Sequence, residues 1–416
     1  MRLWNGNLFE KGKVLGVYES HDRLLAGIKE PPTVDFREIH ESAHALQSVI
    51  FRIYRDYYKA DIKAMALDLG FRPDVADLVS LFSEQITPDS FARVDLFVET
   101  QGWKFLEFNM GSLIGGMQYA SLPRLSGFQQ TGDVLKSWAR GMKAHDIHEN
   151  SLTLFLVDES IVEDIRHPLS VFSQAVQDET GSEVVIASPR SIVWDGLRLT
   201  YQSRVVDNIY CRFEQEQLLE RPDDYRDFLS ALKAKAVNCP QGLGYNVLAG
   251  KGVWALLWQF YLENNLDDAD RALVKEHLPL THWLVEETQD IALKEQSRWV
   301  LKPTDGYAGR DVVCGREVTA EDWAEKIRKA LGIGGKAYIL QEYIEPEPLL
   351  VATIDENGRL EEYKARVVWG FYFLEGQYQG GLLRALPLSQ TAVINYATGA
   401  ATGPMMKVEQ SRSVHE

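Results

Sequence analysis

The chain has 416 residues, room for two or three domains built around a large core. Hydrophobic residues make up 45% and charged residues 25%, as in an ordinary globular protein, while 44 basic against 60 acidic side chains leave a formal net charge of −16. That balance excludes the electrostatic footprint of a nucleic-acid binder and suits an anionic membrane surface poorly. No apolar run reaches the roughly 18 residues needed to span a bilayer, the start Met1-Arg2-Leu3-Trp4-Asn5-Gly6-Asn7 has no apolar leader region, and a cytoplasmic enzyme is the expectation.

In chain order, Ile39, Ala43, Leu46, Ile50, Ile53, Tyr57 and Ala60 recur at helical spacing and predict a long helix or a broken pair over 36–69, closed by Gly70. A second helix starts after Pro73. Ala92 to Val98 and Trp103 to Met110 alternate in character around a Gly102 turn and predict a hairpin. A three-residue connection centred on Gln101 would set Asp95 across from Glu107 and Arg93 across from Asn109. It would put Val94 with Phe108 and Leu96 with Leu106 on the other face. Two opposed carboxylates repel unless a cation lies between them, and Mg2+, which takes a few protein oxygens plus water and phosphate, fits that need. A solvated cluster of ion pairs on an exposed hairpin face is the bland alternative.

After the glycine-rich turn at 111–116 comes a helix around 133–142. Apolar runs at 152–157, 183–187 and 205–211 predict buried strands of a small α/β unit. Residues 251–262 form a tryptophan-rich helix whose Trp254, Leu257 and Trp258 read as core. Strands follow at 298–302, 311–315 and 338–343, with a helix over 320–331. A meander closes the fold at 349–354, 363–373 and 380–385, before a polar tail. Cys211, Cys239 and Cys314 are too scattered for a zinc site or a disulfide framework, and two of them lie in strand-like apolar contexts that read as buried thiols.

Lys302 closes a strand and opens the loop Asp305-Gly306-Tyr307-Ala308-Gly309, a way to bring backbone N–H groups and one ammonium against a polyphosphate. The Walker pattern is absent. Gln341-Glu342-Tyr343-Ile344, at a strand-to-linker junction, offers a carboxylate and free backbone groups to a base and ribose, and Lys251 heads its helix as a second candidate phosphate contact.

These segments taken together resemble the ATP-grasp superfamily: Val300-Leu301-Lys302-Pro303 with its glycine loop, then Gln341 to Ile344. Glu107-Phe108-Asn109 precedes the lysines, an order that resembles the circularly permuted group of glutathionylspermidine synthetase-like proteins. The resemblance implies an α+β and α/β architecture: helices and the hairpin in 1–148, a small α/β unit in 149–245, nucleotide-binding and lid subdomains in 246–404, and a flexible tail at 405–416. It implies Mg2+ on Asp95, Glu107 and Asn109, and ATP on Lys251, Lys302, Gly306, Gly309, Gln341, Glu342, Tyr343 and Ile344. Arg384 and Arg93 would serve the reacting groups. The implied activity is ATP-dependent ligation of a carboxylate to an amine, with an amino acid, peptide or polyamine as small-molecule substrates. A small-molecule kinase and an inactive nucleotide-binding partner module are the alternatives. Met110-Gly111-Ser112 replaces the polar run that follows the asparagine in glutathionylspermidine synthetases, so glutathione and spermidine are not supported.

Overall fold

A computed structural model describes residues 6–19, 21–83, 86–88, 90–127, 133–145, 147–306 and 309–405. Tyr307 and Ala308 of the glycine loop, and the expected tail beyond 405, lie outside the described residues.

The largest sheet has seven strands in the order Leu349–Ile354, Leu24–Ile28, Ala401–Pro404, Gln377–Pro387, Leu360–Leu374, Ala92–Glu99, Gly102–Met110. Leu349–Ile354 also pairs with the lower half of Leu360–Leu374, so five of the strands close into a ring and the hairpin extends it. The strand Leu360–Leu374 holds both: residues 360–365 face Leu349–Ile354, and residues 369–373 pair antiparallel with Ala92–Leu96. Helix Phe36–Arg52 packs on this sheet through Ile39, Ala43, Leu46 and Ile50. Its start is set by Asp35, whose side chain accepts from the Arg37 N–H. The helical periodicity then breaks in a π turn at Ile53–Tyr57. Lys59 and Ala60 adopt left-handed φ of 55° and 59°, and Asp61 caps a new helix, Ile62–Asp68. The broken pair is the form the chain takes.

A smaller antiparallel sheet runs in the order Thr281–Trp283, Tyr338–Glu342, Trp299–Pro303, Val313–Cys314. Helices Glu286–Lys294 and Ala320–Ile333 cover it through a core of Trp299, Leu301, Trp323, Ile327 and Leu340. The strand expected over 311–315 shrinks to two residues, because Asp311 sits at φ 56° and residues 315–317 form a 3-10 turn. The third unit is a parallel sheet, Glu183–Ala187, Leu152–Val157, Asn208–Arg212, with the crossover helix Val162–Thr180. The central strand Leu152–Val157 is buried along its whole length, as a strand inside a covered parallel sheet requires. All three cysteines are free and buried. Among the described residues no helix is long and apolar enough to cross a membrane.

Candidate active site

The hairpin forms, with a change of register inside it. Its connection is the two residues Thr100 and Gln101, because Glu99 pairs with Gly102. Leu96 therefore pairs with Phe105, not Leu106, and a bulge restores Asp95 opposite Glu107, Val94 opposite Phe108 and Arg93 opposite Asn109. The bulge turns Leu106 away from the apolar face on which it was expected. It lines the same cavity as Glu107.

That cavity, about 510 Å³, lies between the large and small sheets. Every expected site residue lines it: Arg93, Asp95, Glu107 and Asn109 from the hairpin; Lys251 from the head of helix Gly252–Leu262; Lys302, Gly306, Gly309, Gln341, Glu342, Tyr343 and Ile344 from the small sheet and its loops; and Arg384 from Gln377–Pro387. Its volume suits a nucleotide-sized ligand.

Asp95 is buried beneath two guanidinium groups. Arg93 donates through Nε and Nη2 at 2.7 and 2.8 Å, Arg384 Nη2 donates at 2.6 Å, and the Asn109 amide reaches the same carboxylate at 3.4 Å. Arg93 Nη1 donates to the Gly115 carbonyl at 2.6 Å. Glu107 stands toward the lysines: Lys251 Nζ is 3.4 Å from its carboxylate and donates to the Gly306 carbonyl at 2.5 Å. Lys302 Nζ donates to Gln341 Oε1 at 2.6 Å.

Burial alone would push the Glu107 carboxyl up, but Lys251, Lys302, Arg384 and Arg93 outweigh it and hold the group well below the usual carboxylate range. Burial pushes the Lys302 amine down to about 8, with Glu107 opposing and Lys251 reinforcing. Elsewhere in the lining burial, helped by Glu216, raises Glu214 to about 7, and burial raises Asp305 as well. The cavity thus gathers Lys251, Lys302, Arg384 and Arg93 around the ionised Glu107, while Glu214, pushed up to about 7, titrates near neutrality.

Among the described residues no group of three or more His, Cys, Asp or Glu is placed to hold a metal. Glu107 and Asn109, two apart on one strand face, do suit Mg2+, which needs few protein oxygens when phosphates and water complete its shell. Asp95, expected to join them, already accepts from Arg93, Arg384 and the Asn109 amide. The N–H groups of Glu342 and Tyr343, expected to be free for a base, instead donate to the carbonyls of Leu280 and Arg298, both at 2.7 Å. The Glu342 carboxylate also accepts from Arg298 Nε at 3.2 Å.

Sequence reasoning missed Glu214 and Gln215, which line the cavity just beyond the carboxyl end of strand Asn208–Arg212. Their position was the available signal, since open α/β sheets present ligand-facing loops there. Gln215 is buried and its Oε1 accepts from Asn246 at 2.7 Å. Residues 392–397 also line the cavity without any sequence motif. Their loop is tied to the small-sheet side by Glu317, which accepts from the Thr391 hydroxyl and the Ala392 N–H.

No family model matches the sequence, and no curated protein matches it. Among solved structures the chain is similar to a provisionally assigned gamma-glutamylcysteine synthetase from Methylobacillus flagellatus, at 12% identity and a TM-score of 0.47, over 91% of this chain and 90% of that one. It is also similar to D-alanyl-alanine synthetase A from Vibrio cholerae, at 12% identity and 0.31, over 52% and 66% of the two chains. A D-cycloserine synthetase is similar at 17% identity and 0.33, over 62% and 76%. Likenesses this distant leave the site to be read from its own chemistry.

Proposed function

We propose that this chain is an ATP-dependent carboxylate–amine ligase of the permuted ATP-grasp kind, working through an acyl phosphate and releasing ADP and phosphate. The observation that carries the reading is the convergence of Lys251, Lys302 and Arg384 around the ionised Glu107 in one cavity between two sheets. Phosphoryl transfer asks a protein mainly for positioning and charge neutralisation, and this arrangement supplies both.

In the proposed reaction the two lysines hold the polyphosphate, and the small sheet around Gln341, Glu342, Tyr343 and Ile344 takes the base and ribose. A substrate carboxylate oxygen attacks the γ-phosphorus and ADP leaves. An amine nitrogen then attacks the acyl carbon, phosphate leaves and the nitrogen loses a proton. Arg384 faces the charge that develops on the acyl phosphate, and Arg93 with Asp95 holds Arg384 in place. Glu107 and Asn109 would hold Mg2+, which when bound would supply neutralisation of phosphate charge.

The test is ADP release across a panel of amino acids, peptides and polyamines, with mass spectrometry of the product, repeated with hydroxylamine as a general amine that converts an acyl phosphate to a hydroxamate. ADP formation with amide or hydroxamate is the expected result; a stable phosphorylated product in the presence of amines would show a kinase instead. Glu107→Gln should lower turnover by about 100-fold or more while leaving the melting temperature within a few degrees, since one charged oxygen is lost where the phosphoryl moves. Full turnover in that variant at ordinary Mg2+ would remove Glu107 from the mechanism.

A further inference from the structure

We infer that the missing side chain of Gly115 sets the size of the pocket for the carboxylate substrate, and that this substrate has an apolar body next to its carboxylate. The inference rests on the ligase reading and names the substrate class of that site.

Gly115 and Gly116 are adjacent on the cavity wall, and they are glycine for different reasons. Gly116 has φ 87°, and a Cβ there would lie 2.5 Å from Leu382 Cδ2 and 2.8 Å from the Tyr372 hydroxyl. Backbone and packing both demand glycine at 116. Gly115 has no left-handed φ, and a Cβ built on it meets nothing within 4 Å. Gly115 is exposed where it lines the cavity, and the fold itself would accept a side chain there, so its absence leaves the space beside the cavity wall open. The position is also held firmly. The Gly115 carbonyl accepts from Arg93 Nη1 at 2.6 Å and from the Tyr372 hydroxyl at 2.8 Å, so a side chain added there could not swing away with the loop.

The surroundings give the chemistry. Leu382 is two residues from Arg384 on one strand, so both point to the same face, and both line the cavity. Leu382 packs with Ile114 and Tyr372 in one buried cluster, and Ile114 also lines the cavity. A carboxylate held at Arg384 therefore has its next atoms along Leu382, Ile114 and the open space over Gly115. That wall offers apolar contact and room.

The probe is hydroxamate and ADP formation with hydroxylamine and single carboxylates: glycine, alanine, leucine, phenylalanine and aspartate. For the native chain, leucine and phenylalanine should exceed glycine and aspartate in kcat/KM. In Gly115→Val the ratio of phenylalanine to alanine should fall at least about tenfold, the scale on which a pocket discriminates added methylenes, while the KM for ATP stays unmoved. Gly115→Ala should fall between, and it serves if the valine variant fails to fold; melting temperatures report which variants are folded. Equal losses for every carboxylate, or a native preference for aspartate, would overturn this assignment and leave the ligase reading standing. No ADP or hydroxamate from these five or from the amino acids and peptides of the wider panel would overturn the ligase reading and this inference with it.

Discussion

Lys302 and Lys251 approach one carboxylate from two different units, and their charge states decide what the cavity can hold. Burial is the largest influence on Lys302 and brings its amine down to about 8 from an ordinary 10.5. Between those values the unfolded chain binds a proton that the folded chain has lost, so the contribution of this group to stability rises with pH across that window. Ligand binding runs the other way. A phosphate beside the amine favours its charged form, so ATP affinity should fall as pH rises through about 8, and binding at pH 8 should take up protons. Calorimetry at pH 8 in two buffers of different ionisation enthalpy measures that uptake. Zero uptake, or the same uptake in Lys302→Met, would mean that Lys302 does not meet the phosphates.

At the scale of elements, the hairpin and its neighbouring strand show how the Arg93–Asp95 pair fits inside a sheet. Gly370 pairs with Asp95 on the long strand Leu360–Leu374, and a Cβ there would lie 3.0 Å from Asp95 Oδ1 and 3.1 Å from Arg93 Cδ. A glycine in a strand interior costs roughly 0.5–1 kcal/mol relative to alanine, and here it provides clearance for a guanidinium laid over a carboxylate. Gly370→Ala should still destabilise, by about 1–3 kcal/mol, because the overpacking exceeds the entropic gain. It should also lower turnover by displacing Arg93 and, through Asp95, Arg384. Urea unfolding together with steady-state rates checks both effects, and a variant more stable than the native chain would show that the site has slack. The bulge at Leu106 belongs to the same scale. A two-residue turn alone would leave the site residues one position out of step, and the bulge corrects the register before Glu107.

For the whole molecule, the ring of strands is closed by segments far apart in sequence. Leu24–Ile28 pairs antiparallel with Leu349–Ile354 and, at Leu24, parallel with Thr402, so it joins two parts of the C-terminal half. The Tyr18 hydroxyl donates to the Thr402 carbonyl at 2.5 Å across the same junction. The expected site residues begin only at Arg93, yet this pairing builds the segment before them into the same sheet. Deleting residues 1–30 exposes the edges of two strands and opens the ring, so the shortened chain should lose cooperative unfolding and aggregate. Near-UV circular dichroism and solubility decide this; a soluble truncated chain with a native-like melting transition would refute the role given to Leu24–Ile28.

The sequence by itself determined the elements that carry strong local signals. Period-two alternation around Gly102 specified the hairpin, helical spacing specified the helix from Phe36, and Asp35 and Asp133 mark helix starts by accepting from backbone N–H groups. The resemblance of its ordered motifs to the ATP-grasp superfamily also singled out the side chains from Arg93 to Arg384 that line the cavity. Only the tertiary structure decided who faces whom. Leu24–Ile28 and Ala401–Pro404 are short and carry no turn signal, and the place of Leu24–Ile28 in the sheet follows from edges that partners hundreds of residues away leave open. The bulge that moves Leu106 into the cavity arises from matching a two-residue turn to pairings made elsewhere on the strand. The contact of Asp95 with Arg384 spans 289 positions. Such contacts depend on the assembled sheet, and no local pattern encodes a distance of that kind.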